Sequence, residues 1–186
     1  MTTALLLIDL QQEVANRIAG GRVPWPGGAE DRVTELLALF RTKGWPVVHV
    51  HHDDADPASP FRRDLPSGQA MACASPAPGE AVIFKSGSSA FAGTGLDAHL
   101  RRAGIDRLVI CGAVTGFCVN SSVRAASDLG FSVLLAEDAL FSFGIDTHDG
   151  QGGIGAEMVA RSTLALLAAD FATVAPGATL ARMIGA

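Results

Sequence analysis

Five short apolar runs separated by longer amphipathic stretches constrain this chain more than anything else in its sequence. The runs are Ala4–Ile8, Pro46–His51, Ala81–Phe84, Arg107–Cys111 and Phe131–Leu135, with a weaker sixth at Ala172–Val174. Each has strand length and reads as a strand buried on both faces. Helical periodicity marks Ala29–Thr42, Leu96–Ala103, Phe117–Leu129 and Ala156–Ala169. Gly44, Gly104 and Gly130 stand just past three of these segments, where a left-handed residue ends a helix. Strands alternating with helices require right-handed crossovers and a mostly parallel sheet. The expected fold class is α/β: a three-layer α/β/α arrangement with a mostly parallel, Rossmann-like sheet, as one domain over residues 1–186.

Composition agrees. Of 186 residues, 48% are hydrophobic and 18% charged, so the chain can build a core and is not a disordered segment. A domain of this size buries roughly 70% of its unfolded surface. The formal net charge of -5 argues against nucleic acid as a partner, since phosphate binding needs a basic face. No apolar run approaches the roughly 18 residues of a membrane span. The stretch Thr3–Ile8 ends at Asp9 with no basic segment before it, so it reads as neither a span nor a signal peptide. Cys73, Cys111 and Cys118 lack CxxC spacing. Neither a disulfide framework nor a zinc knuckle is expected, and a reducing cytoplasm is the expected location.

In an open parallel sheet, ligands bind outside the carboxyl ends of the strands. The first run ends at Asp9, the third runs into Lys85, and the fourth leads through Gly112 to Cys118; the second delivers His49, His51 and His52. Cys118 opens a predicted helix, so the helix dipole and Lys85 are expected to lower its thiol pKa. Two long stretches, Asp53–Pro78 and Phe143–Gly155, read as loops of the length that is usually functional or simple surface excursion. Within the second, Gly150-Gln151-Gly152-Gly153-Ile154-Gly155 fits G-x-G-x-x-G, but the strand that a dinucleotide site requires does not precede it.

Four segments make the chain resemble the isochorismatase-like cysteine hydrolases, which include the nicotinamidase-related amidases. Leu5-Leu6-Leu7-Ile8-Asp9-Leu10-Gln11 is similar to that family's opening strand. Phe84-Lys85-Ser86-Gly87-Ser88-Ser89-Ala90-Phe91 is similar to its lysine segment, and Gly112-Ala113-Val114-Thr115-Gly116-Phe117-Cys118-Val119 to its nucleophile loop. The helix from Ser121 to Gly130 continues the likeness, and Ala136-Glu137-Asp138-Ala139 resembles the acidic end of the next strand.

The resemblance implies a Cys-Asp-Lys triad of Cys118, Asp9 and Lys85, with an oxyanion hole from the backbone amides of Val114 and Cys118 and a cis peptide between Ala113 and Val114. It implies a hydrolase that cleaves an amide-type C–N bond of a small amide or related acyl compound through a thioester, with no cofactor, as a homo-oligomer. Isochorismatase- or nicotinamidase-type activity and a non-catalytic small-molecule binder are the alternatives. Thiol redox chemistry at Cys118 is a third, opposed by the lack of a nearby resolving cysteine in sequence. Trp25, Phe91, Phe117 and Phe141 are candidate pocket walls. Two departures stand out: Gly116 replaces an acid that often follows the loop threonine, and Val14 replaces an aromatic. Nicotinamidases carry an Asp-x-His pair for a metal. This chain reads His51-His52-Asp53-Asp54-Ala55-Asp56 instead, so no metal is expected.

Overall fold

In the computed structural model, which describes residues 1–185, six parallel strands form the central sheet. In chain order the elements are β1 (Thr2–Ile8), α1 (Gln12–Ala19), α2 (Ala29–Lys43), β2 (Val47–His52), β3 (Ala81–Lys85), α3 (Leu96–Arg102), β4 (Ile105–Ala113), α4 (Asn120–Asp128), β5 (Ser132–Phe141), β6 (Ile145–Asp146), β7 (Gly153–Ile154), α5 (Ala156–Asp170), β8 (Thr173–Ala175) and α6 (Gly177–Met183). The sheet order is β3-β2-β1-β4-β5-β8. The order reverses direction between β1 and β4, so a crevice opens at the carboxyl ends of those two strands.

Strand periodicity divides the core. Leu5 and Leu7 pack with Val14 of α1, Val33, Leu36, Leu37 and Phe40 of α2, and Leu180 of α6. Ala4, Leu6 and Ile8 pack instead with Leu96 and Leu100 of α3, Val123 of α4, and Leu164 and Leu167 of α5. Alternate side chains of one strand thus feed two cores, one on each face, which is the three-layer arrangement. The stop signals act as expected. Gly44 takes φ +64 and donates its N–H to the Arg41 carbonyl, while Trp45 N–H reaches back to Phe40.

The structure adds to the expected elements. Helices α1 and α6 are not among the expected elements, because eight and seven residues are too few for helical periodicity to stand out: α1 sets Val14, Ala15 and Ile18 against the core, and α6 buries Gly177 and Leu180. Strand β5 continues past Leu135 to Phe141, with its register against β4 shifting between Ile110 and Gly112. In that irregular stretch, Asp138 accepts the N–H of Gly177 at 2.8 Å, so the acidic segment anchors α6. The helix expected from Phe117 begins as a wider π-type turn over Thr115–Val119 and becomes α-helical at Asn120. Gly150–Gly155 runs through an exposed antiparallel hairpin of β6 and β7, with no parallel strand leading into it. A dinucleotide site has no scaffold there. Among the described residues, no helix is long and apolar enough to cross a membrane.

Candidate active site

Three strand ends converge on the crevice. Just past β1, Asp9 adopts φ +51, a left-handed conformation that aspartate tolerates better than most residues, and donates its N–H to Val50. Gln11 is fully buried and grips the end of β2. Its Nε2 donates to the carbonyls of His52 and Gly68, both at 2.8 Å, and its Oε1 accepts the His52 N–H at 2.8 Å. Lys85 is the last residue of β3. Gly112 pairs with Ile8 so closely that a Cβ there would lie 2.1 Å from the Ile8 carbonyl oxygen, and its φ is +130. Only glycine lets β4 bring its following loop this near to Asp9. The Ala113–Val114 peptide in that loop is cis. Ser122 of α4 accepts the Ala90 N–H at 2.9 Å, tying the loop after Lys85 to the helix after Cys118.

The Lys85 ammonium sits at the centre, nearly inaccessible to solvent. It lies 2.7 Å from Asp9 Oδ2, 3.0 Å from His52 Nδ1, 3.0 Å from the Gly87 carbonyl and 3.3 Å from Cys118 Sγ. An ammonium has only donors, so His52 Nδ1 must accept, which leaves the neutral ring's proton on Nε2. Burial, reinforced by Lys85, lowers the His52 pKa and keeps the ring neutral. Burial raises the Asp9 pKa against the pull of Lys85, and the Asp9 Oδ1 atom has no hydrogen-bond partner.

The thiol differs from the expectation. Burial and the Asp9 charge outweigh Lys85 and hold Cys118 up at about 11. A helix start activates a thiol only where the sulfur stays solvated or is next to unpaired cations, and here the lysine already neutralises Asp9. Cys118 therefore keeps its proton at neutral pH. Oxygen, nitrogen and sulfur atoms of Asp9, His52 and Cys118 lie within 4.8 Å of one another. Within that cluster, burial raises the proton affinity of the Asp9 carboxylate.

Those three donors could in principle hold a metal ion, but each faces the Lys85 ammonium, so a cation already fills the centre of the set. The histidine-rich segment is split as strand alternation requires. His51 is buried against His49 and Phe84, and Asp53 pairs with Arg63. His52 alone of that segment's histidines joins the site.

A cavity of about 340 Å³ opens over Cys118 and Asp9. Val14, Phe61 and Phe117 supply apolar walls, and Arg17 and Asp54 add charged groups. Of the four aromatic wall candidates, only Phe117 lines it. Trp25 is held by a backbone bridge to Ser142, Phe91 packs on Phe131 at 5.8 Å between ring centroids, and Phe141 is in the core. Aromatic identity says nothing about which face a residue occupies, and packing claims these three. The residues missed, Arg17 and Phe61, come from the unanticipated α1 and from the Asp53–Pro78 loop. The length of that loop was the one signal that pointed to Phe61. At Gly116, where the resemblance implied an acid, a Cβ would lie 3.1 Å from Val159 Cγ1 of α5.

Comparison with known proteins agrees with this architecture. The isochorismatase domain model matches residues 3–156. Streptothricin hydrolase of Streptomyces noursei is 35% identical over 76% of this chain, which spans 50% of that enzyme. Maleamate amidohydrolase of Pseudomonas putida is 30% identical over 78% of this chain and 75% of its own. An isochorismatase-family crystal structure from Chromobacterium violaceum superposes with a TM-score of 0.92 at 36% identity, covering 99% of this chain and 94% of the other. With a matching family model over most of its length, the same parallel α/β sheet and relatives that are hydrolases, the chain belongs to the isochorismatase family.

Proposed function

We propose that the chain is a cysteine hydrolase that cleaves the C–N bond of a small amide through a thioester on Cys118. One observation carries this reading: a single buried lysine contacts both the Asp9 carboxylate, at 2.7 Å, and the Cys118 sulfur, at 3.3 Å, at the floor of a cavity of small-molecule size. That a relative is an amidohydrolase favours an amide over other acyl compounds.

The chemistry follows from proton affinities. As the carbonyl carbon meets Sγ, Asp9 takes the thiol proton and the C–S bond forms. The carbonyl oxygen gains the charge, which the backbone amides of Val114 and Cys118 are proposed to hold. Asp9 then returns the proton to the amide nitrogen, the C–N bond breaks and the amine leaves. A water attacks the thioester as Asp9 removes its proton; the C–S bond breaks and the sulfur recovers a proton. Lys85 keeps its charge throughout and offsets whichever of Asp9 or Cys118 is anionic. Disulfide exchange draws no support from the other thiols. Cys111 is fully buried with its pKa pushed far up, and Cys73 is held at about 11. Ammonia release from a panel of primary amides tests the reading. Turnover by the unaltered protein and none by Cys118→Ala is expected; equal release by both would refute it.

A further inference from the structure

We propose that His52 is a positioning residue: with the Gly87 carbonyl it occupies two of the three Lys85 protons, so that Asp9 and Cys118 must share the third. This inference deepens the hydrolase reading and rests on it for its chemical meaning, but thiol reactivity measures it without turnover.

An ammonium has three N–H groups, set at tetrahedral angles. Four acceptors surround the one on Lys85: Asp9 Oδ2 at 2.7 Å, His52 Nδ1 at 3.0 Å, the Gly87 carbonyl at 3.0 Å and Cys118 Sγ at 3.3 Å. One of the four goes short at any moment. The sulfur is the farthest, and a thiol that keeps its proton is a weak acceptor. The third N–H therefore rests on Asp9 while the carboxylate is charged. It turns to Cys118 once the thiol proton has passed to Asp9 and the sulfur carries the charge.

His52 is held in place through its backbone as well as its ring. Gln11 Nε2 donates to its carbonyl and Gln11 Oε1 accepts its N–H, both at 2.8 Å, so the end of β2 is tied to the chain that carries Asp9. The ring packs on Phe61 with centroids 5.6 Å apart. Asp54 Oδ2, 4.0 Å from Nε2, favours the tautomer with its proton there, which leaves Nδ1 to accept. Burial, with Lys85 beside it, keeps the ring neutral. His52 thus takes a lysine proton without offsetting the lysine charge.

The remaining charged groups near the sulfur do not change this count. Arg17 and Asp54 line the cavity above it. Arg17 pairs with Glu13 at 2.9 Å, and Asp54 accepts the Asp56 N–H at 3.1 Å. An N–H withheld from the sulfur keeps the thiol weakly acidic. A more basic thiolate is the stronger nucleophile and the slower to leave, so a new C–S bond survives while the amine departs.

Iodoacetamide alkylation of Cys118 across pH, assigned by peptide mapping, tests this in the unaltered protein, His52→Leu and His52→Asn. Leucine removes the acceptor and frees an N–H for the sulfur. The midpoint of the profile should fall by about one to two pH units, the worth of one hydrogen bond to a charged group. Asparagine puts its Oδ1 where the imidazole has Nδ1, so its midpoint should stay near that of the unaltered protein. His52→Met makes the same deletion if His52→Leu does not fold. An unmoved midpoint in the leucine or methionine variant would overturn the assignment, as would an asparagine variant that shifts as far as leucine. Faster alkylation with an unshifted midpoint would also overturn it, since that reports an opened crevice. Ammonia release from amides by the unaltered protein reports separately on the hydrolase reading. A His52-dependent midpoint without ammonia would uphold the shared proton and contradict the proposed reaction.

Discussion

Replacing Gly112 by alanine should cost both stability and catalytic geometry. The new Cβ would lie 2.1 Å from the Ile8 carbonyl oxygen, 2.7 Å from its nitrogen and 2.9 Å from its carbonyl carbon. All three are backbone atoms in the centre of the sheet, so no side chain can swing aside. Relieving the contact needs about 1 Å of separation between β1 and β4, at the point where one strand delivers Asp9 and the other the loop to Cys118. Overpacking of this kind costs about 1–3 kcal/mol, and a φ of +130 adds roughly 1–2 for a residue with a side chain. For a chain of this length each kcal/mol moves Tm by about 2–4 °C, so the melting temperature should fall by roughly 4–20 °C. A shift of about 1 Å between base and nucleophile is worth on the order of 10²-fold in turnover. Gly27 serves as the control, because a Cβ there meets nothing within 4 Å and its φ is not positive. Calorimetric melts and amide turnover of Gly112→Ala and Gly27→Ala decide the matter. A Gly112→Ala protein that melts and turns over like the Gly27→Ala control would show that the close approach does not position the site.

Asp9→Asn should lose about 10²- to 10⁴-fold in turnover, the usual worth of a general base. It should also alkylate faster with iodoacetamide at a given pH, because the Asp9 charge holds the thiol pKa up; slower alkylation would contradict that coupling. Lys85→Met should do the reverse to the thiol, raising its pKa and slowing alkylation, and should destabilise the fold by about 3–5 kcal/mol by leaving Asp9 unpaired. Thiol titration and urea melts read the two effects separately. His51 has its pKa lowered by burial from 6.5 to about 4, so the unfolded chain binds its proton first on acidification. Stability should therefore decline as pH falls from 6.5 to about 4, by on the order of 3 kcal/mol from this residue, and not further below that. A His51→Leu protein with the same slope in that window would place the effect elsewhere.

What could be read in the sequence was whatever leaves a periodic or covalent trace. The strands announced themselves because residues such as Leu5–Ile8 are apolar on both faces, and the strand ends then put Asp9, Lys85 and the loop to Cys118 at one edge. Helix α1 escaped because its eight residues are shorter than the window over which a helical stripe such as Val14, Ala15 and Ile18 can be told from chance. Arg17 and Phe61 therefore had no reason to be placed in the cavity, while Trp25, Phe91 and Phe141 were indistinguishable from wall residues until their packing was visible. His52 was read only as one of three histidines at the end of the second strand; its place beside Lys85 depends on the Gln11 clamp and the Lys85 contact, which join positions 41 and 33 residues apart. The direction of the Cys118 shift was misjudged for a related reason. A helix start can be seen in sequence, but the burial of the sulfur and the charge of Asp9 beside it are properties of the assembled crevice.

The central claim is a covalent bond between the Cys118 sulfur and the acyl carbon of an amide. Rapid quenching of the protein during turnover of a primary amide, followed by intact-mass measurement and peptide mapping, tests it most directly. The account predicts a mass gain equal to the amide minus ammonia, confined to the peptide containing Cys118 and absent from Cys118→Ala. Ammonia release with no adduct at any quench time, or an acyl group on Cys73 or Cys111 instead, would contradict it.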